Sequence, residues 1–179
     1  MKGIVFTEFL EMVEAKWGYD MVDDIIEASS LDSKGIYTSI GTYHHSEIIQ
    51  LLTNLSSKTK IDPAILLKAF GEYLFDTFLK TYPMFFNSEK DAFGFLKSID
   101  THIHVEVLKL YPDATLPKFE TVEDPDGTLI MTYKSERKMA ALAEGLIEKA
   151  IEHYGHPHSL DKKLVIEDGS QVEFIIKKL

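Results

Sequence analysis

Cysteine is absent from all 179 residues. That excludes disulfides, thiolate metal sites, thioether attachment of a cofactor and a cysteine nucleophile. Positive charge is scarce: 19 lysines and arginines stand against 29 aspartates and glutamates, for a net charge of −10. A chain this acidic repels phosphate backbones, so nucleic acid is not an expected partner. No stretch approaches the ~20 apolar residues that a membrane span needs, so no membrane insertion is expected. The opening MKGIVFTEFLEMVEAKWG lacks the sustained apolar core of a secretion signal. Lys2 stands where a myristoylation signal requires glycine. The expected location is cytoplasmic. Glycine-rich phosphate loops, the G-x-S-x-G elbow and HExxH are all missing. The many carboxylates show no distinctive pairing. The expectation is a protein that is not an enzyme.

What remains is apolar and aromatic. Hydrophobic residues make up 45% of the chain and aromatics 11%, which suffices for one core with room for a buried ligand. A single domain over residues 1–179 is expected. Residues 3 to about 110 read as helical. Ile4, Val5, Phe9, Leu10, Val13 and Trp17 recur at helical spacing until Gly18 interrupts. Met21, Val22, Ile25 and Ile26 begin a second helix, and residues 31–43 read as a loop. Ser46 starts a third. Asp62 and Pro63 form a cap-plus-N1 pair for a long helix that buries Ile65, Leu66, Phe70, Leu74 and Phe78 and ends at Pro83. Residues 91–110 supply another apolar segment, broken near residues 98–100.

Beyond Pro117 the pattern turns to strands at residues 119–122, 129–133, 164–167 and 172–176. Turn sequences at residues 124–127 and 167–170 join them in pairs around a helix over residues 138–153. The fold class is therefore α+β: a helical N-terminal part plus a C-terminal part with an antiparallel sheet and helices.

Two constellations carry chemistry. In Tyr133-Lys-Ser135-Glu-Arg137, extended backbone would turn a phenol, a hydroxyl and a guanidinium to one face, a donor set suited to carboxylates. The alternative is a strand end running into a helix, with Ser135 capping and Arg137 solvated. Spacing alone leaves both open. In His102-Ile-His104 a helix lets only one imidazole face the core, and the apolar Val105, Val107, Leu108 and Leu110 follow His104. It is either a metal ligand or a buried, hydrogen-bonded histidine. His153, His156 and His158, and the His44–His45 pair, permit opportunistic metal binding.

In order along the chain, MKGIVF, GIYTSIGTYHHSEIIQLL (35–52), FGEYLF (70–75), HVEVLKLYPDATLPKF (104–119) and YKSER (133–137) resemble the haem nitric oxide/oxygen binding (H-NOX) family over essentially the whole length, in its stand-alone bacterial form. The resemblance implies haem b between the two parts of the fold, about 1–60 distal and about 61–179 proximal. It implies His104 as the axial iron ligand, Tyr133, Ser135 and Arg137 on the propionates, and Pro117 packed against the macrocycle. Relatives that hold oxygen carry a distal tyrosine where this chain has Leu142. With Val5, Phe9, Leu74, Phe78 and Leu146 placed near the same face, none of the six is a hydrogen-bond donor. The resemblance thus implies a sensor of nitric oxide that also binds carbon monoxide, excludes oxygen, and loosens His104 when nitric oxide binds. A separate partner, a sensor histidine kinase or a cyclic-di-GMP enzyme, would read that state. A binding module for another amphipathic carboxylate, or a haem enzyme, is the alternative.

Overall fold

A computed structural model describes every residue except Ser88 and His156. Its helical part opens with α1 (Gly3–Trp17) and α2 (Tyr19–Glu27). The break between them is Gly18, whose φ of 86° is open to glycine without strain. After the expected loop, α3 (His45–Thr59) starts one residue before Ser46, capped by His44, whose ring nitrogen accepts from the Ser46 N–H. Asp62 caps α4 (Pro63–Thr81) through Ala64 N at 2.8 Å, with Pro63 at N1 as expected.

Leu66, Leu67, Phe70 and Leu74 are buried on α4, but Ile65 is 63% exposed. One residue is 100° of helix, so Ile65 and Leu66 do not share the buried stripe. A 3-10 turn (Pro83–Phe85) and α5 (Ala92–Ser98) follow. The expected break near residues 98–100 is a widening instead: a π-helical turn, Ile99–Ile103, leads directly into α6 (His104–Leu110). Such turns insert one extra residue and cluster at functional positions.

The C-terminal part is strand, strand, helix, strand, strand. It comprises β1 (Lys118–Glu123), β2 (Leu129–Lys134), α7 (Ala140–His153), β3 (His158–Leu164) and β4 (Gln171–Lys178), with antiparallel order β1-β2-β4-β3. The α+β reading holds. The third strand, expected at 164–167, lies earlier in the chain. β3 pairs Leu160 with Ile176 and Leu164 with Val172, and residues 165–170 turn the chain. β3 is an edge strand, where polar residues such as Asp161, Lys162 and Lys163 are tolerated, so composition hid it. Helix α7 begins at Ala140 rather than 138 because Lys138 is left-handed, at φ 57°.

Two apolar cores result. One joins α1–α3 to the first half of α4; the other joins α5, the sheet and α7. Phe78 and Leu146 pack against both, so α4 and α7 are the seam. These helices cross at glycines. A Cβ on Gly145 would stand 2.0 Å from the Lys68 carbonyl oxygen, and one on Gly71 would stand 2.3 Å from that of Leu142. Lys68 flanks the crossing, bridging to Glu148 at 2.8 Å and Glu144 at 3.6 Å. Neither contact can relax without moving backbone. Gly145→Ala is therefore expected to destabilise the protein by roughly 1–3 kcal/mol. A urea titration with unchanged slope and a lower midpoint would verify it; an unchanged midpoint would mean the crossing is looser than drawn.

Candidate functional site

Between the two cores lies a cavity of about 280 Å³ with a strongly apolar lining. From α1 comes Val5, from α4 come Leu74 and Phe78, and from α7 come Leu142 and Leu146. These five were expected together, and the tertiary fold brings them together. Phe9, the sixth, does not line the cavity. It is fully buried in the N-terminal core, edge-to-face on Phe70 at 5.2 Å. Phe70 sits one turn before Leu74 and, like Phe9, is outside the lining. Tyr73, adjacent to Leu74, is likewise outside the lining.

His104 enters the lining from the first turn of α6, as do Pro117 and Phe119 from the segment beyond it. The Asp100 carboxylate accepts from His104 Nδ1 at 3.2 Å, across the π-helical turn. The same oxygen accepts from Phe119 N at 3.3 Å, which fixes its place. With Nδ1 engaged, the free ring nitrogen is Nε2, the one available as a ligand. Burial pushes the His104 pKa below its ordinary value, against the pull of Asp100. The imidazole is therefore neutral near pH 7, the form that binds metal. His102 is exposed, as helical geometry requires of its neighbour. Nothing in α6 is fully buried.

Tyr133, Ser135 and Arg137 also line the cavity, and of the two readings left open the strand end with Ser135 as a cap is the one present, with Arg137 on the lining. β2 ends at Lys134, and the chain turns. The Ser135 hydroxyl accepts from Arg137 N at 3.2 Å, holding that turn. The Tyr133 hydroxyl accepts from Met139 N at 3.0 Å, which leaves its proton free to donate. Arg137 donates one N–H to the Thr115 carbonyl at 2.6 Å. Among the described residues no carboxylate lies within ion-pair distance of Arg137. Burial lowers its pKa, yet a guanidinium stays charged. A half-buried cation beside an apolar hollow calls for an anionic partner.

Sequence reasoning missed the role of Asp100, although its position four residues before His104 is a helical-neighbour signal. It also passed over Lys2, Tyr82 and Tyr111, which line the cavity as well. Of the other histidines, His153 packs on Phe75 at 5.9 Å and His158 on Phe93 at 5.2 Å. His156 lies outside the described residues. His44 and His45 stack at 4.7 Å. Among the described residues no group of three or more histidines and acids could hold a metal ion. No described helix is long and apolar enough to cross a membrane.

Known proteins share this architecture. The haem-NO-binding family model matches residues 2–161. An unliganded Fe(II) H-NOX protein from K. algicida is 47% identical, with a TM-score of 0.95, covering 100% of this chain and 97% of that one. An H-NOX from Shewanella woodyi, solved in the Fe(II)CO state, is 37% identical with a TM-score of 0.84 over 100% of this chain and 95% of that one. An H-NOX from S. oneidensis in the Fe(II)NO state is 25% identical with a TM-score of 0.91 over 100% and 99%. The soluble guanylate cyclase gcy-35 of Caenorhabditis elegans is 23% identical over 154 residues, covering 83% of this chain but spanning only 22% of that protein.

Proposed function

The chain belongs to the haem-NO-binding (H-NOX) family of gas-sensor domains, and from that membership we propose that it holds haem b in its cavity through His104 and senses nitric oxide. The observation that carries this reading is one apolar cavity with a neutral imidazole oriented by Asp100 and, on its lining, a half-buried Arg137 with no acid paired to it among the described residues. Haem has those complementary parts: an apolar ring, an iron that takes one basic ligand, and two carboxylates. When bound, the haem iron supplies the coordination position for a diatomic gas. His104 would hold the iron through Nε2. Tyr133, Ser135 and Arg137 would hold propionate, and Pro117 would pack against the ring. Val5, Leu74, Phe78, Leu142 and Leu146 would exclude water and offer a gas no donor. Relatives were solved with nitric oxide and carbon monoxide, and we extend binding of both gases to this chain, with oxygen excluded.

The output would be non-enzymatic. α6, which has no fully buried residue and is tied at its start by the Asp100–His104 bond, is the element that would shift when the load on His104 changes. A separate signalling protein, a sensor histidine kinase or a cyclic-di-GMP enzyme, would read the shift. An absorption spectrum of the reduced protein before and after nitric oxide tests the core of this reading. A Soret band that moves on adding the gas is expected, and a colourless protein that takes up no added haem would overturn it.

Asp100→Asn is expected to leave haem bound but weaken the hold of His104 on the metal, on the order of 10-fold or more. The carboxylate draws on Nδ1–H and makes Nε2 more basic; an amide does so less. The iron–histidine stretch in resonance Raman should fall in frequency. An unchanged stretch would remove Asp100 from this role.

A further inference from the structure

Tyr82 directly follows α4, Tyr111 directly follows α6, and both line the cavity. Their hydroxyls are 3.3 Å apart. Two phenols carry two O–H protons, and a bond between them uses one. Neither hydroxyl has a further partner among the described residues, so one donor on a mostly apolar lining is unspent. The Tyr82 phenol is pushed up to about 12, first by its bond to Tyr111 and then by burial, so it stays protonated.

Positive charge stands beside this pair. The Lys2 ammonium lies 5.3 Å from the centre of the Tyr111 ring, with its side chain only 11% exposed. It is steadied by Asp113 at 3.1 Å and by the Thr42 hydroxyl at 2.9 Å, and Thr42 donates to Asp113 at 2.6 Å. Lys2 and Arg137 both line the cavity with the two tyrosines. The lining thus has two donor groups, one built on Arg137 and one on the tyrosine pair. A ligand with a single carboxylate would leave one of them idle. A ligand with two would engage both.

We propose that the Tyr82–Tyr111 hydroxyl pair, backed by Lys2, is a second carboxylate anchor, holding one haem propionate while the Arg137 group holds the other. This rests on the haem reading above. It makes Tyr82 and Tyr111 positioning residues for the cofactor, with no part in gas binding itself.

Transfer of ligand to excess apomyoglobin tests it, using protohaem and protohaem dimethyl ester in the full-length protein. Tyr82→Phe/Tyr111→Phe keeps both rings and removes only the hydroxyls. The double variant is expected to lose protohaem about tenfold faster than wild type, as for one charge-assisted hydrogen bond, and to lose the dimethyl ester at nearly the wild-type rate. Equal acceleration with both ligands would mean a packing defect and overturn the anchor. So would no acceleration with protohaem. Arg137→Gln separates this from the parent reading: protohaem held by wild type, lost faster from Arg137→Gln and not from the double variant, leaves the haem site standing without a second anchor. A wild-type protein that takes up no protohaem overturns both.

Discussion

His104→Ala is expected to abolish the ferrous haem spectrum of the wild type, and free imidazole added to the variant is expected to restore it. The basis is geometric. His104 is the described histidine that lines the cavity, and its Nδ1 is already committed to Asp100, which directs Nε2 to the ligand. No other side chain stands ready to replace it: His102 is exposed, and the remaining cavity residues are apolar or hydroxyl-bearing apart from Lys2 and Arg137. Alanine also leaves a void the size of the lost ring, and that void is what lets free imidazole enter. The apo variant should lose some stability too, because the packing of the His104 ring beside Phe119 is lost. His102→Ala is the control and should keep the wild-type spectrum. An unaltered Soret band in His104→Ala without imidazole would move the ligand elsewhere and dismantle the proposed site.

The second large effect concerns oxygen. Reduced wild-type protein exposed to air should show no persistent oxygenated spectrum, whereas Leu142→Tyr should stabilise the oxygen complex by roughly 10–100-fold, the worth of one hydrogen bond to a strongly polarised acceptor. Oxygen bound to ferrous haem draws electron density onto itself and gains from a donor. Nitric oxide and carbon monoxide gain much less. Leu142 lines the cavity beside Val5, Leu74, Phe78 and Leu146, none of which can donate. Stopped-flow dissociation rates would separate the gases: slower release of oxygen from the variant, with carbon monoxide release changed far less. A stable oxygenated wild type would refute the exclusion of oxygen.

Much of this architecture was legible in short-range pattern. Helix starts at Asp62–Pro63, the break at Gly18, the hairpin turns and the α+β order follow from capping, glycine freedom and periodicity, which act over a few residues. The Tyr133/Ser135/Arg137 trio could be picked out as donors, but spacing left its backbone open between an extended segment and a strand end capped by Ser135. The residues converge because the chain turns after Lys134, and a turn depends on Ser135 capping Arg137 N as much as on strand propensity. β3 was misplaced because an edge strand is not required to alternate apolar and polar residues. Ile65 was misassigned because an apolar residue one position off the stripe looks the same in composition.

The sequence by itself determined that this is an acidic, cysteine-free α+β chain, and it singled out His104 and the 133–137 trio as its chemically capable groups. Only the tertiary structure decided which of its many aromatic and aliphatic residues border a hollow and which fill a core. Phe9 and Val5 lie one turn apart on the same helix, yet the first packs on Phe70 in the core and the second lines the cavity. Helical periodicity states that a face is buried; it carries no information on what the face is buried against. Asp100 with His104, and Tyr82 with Tyr111, acquire meaning from a π-helical turn and from two helix ends meeting at the cavity. Those distances are set by the packing of two cores about the α4–α7 crossing.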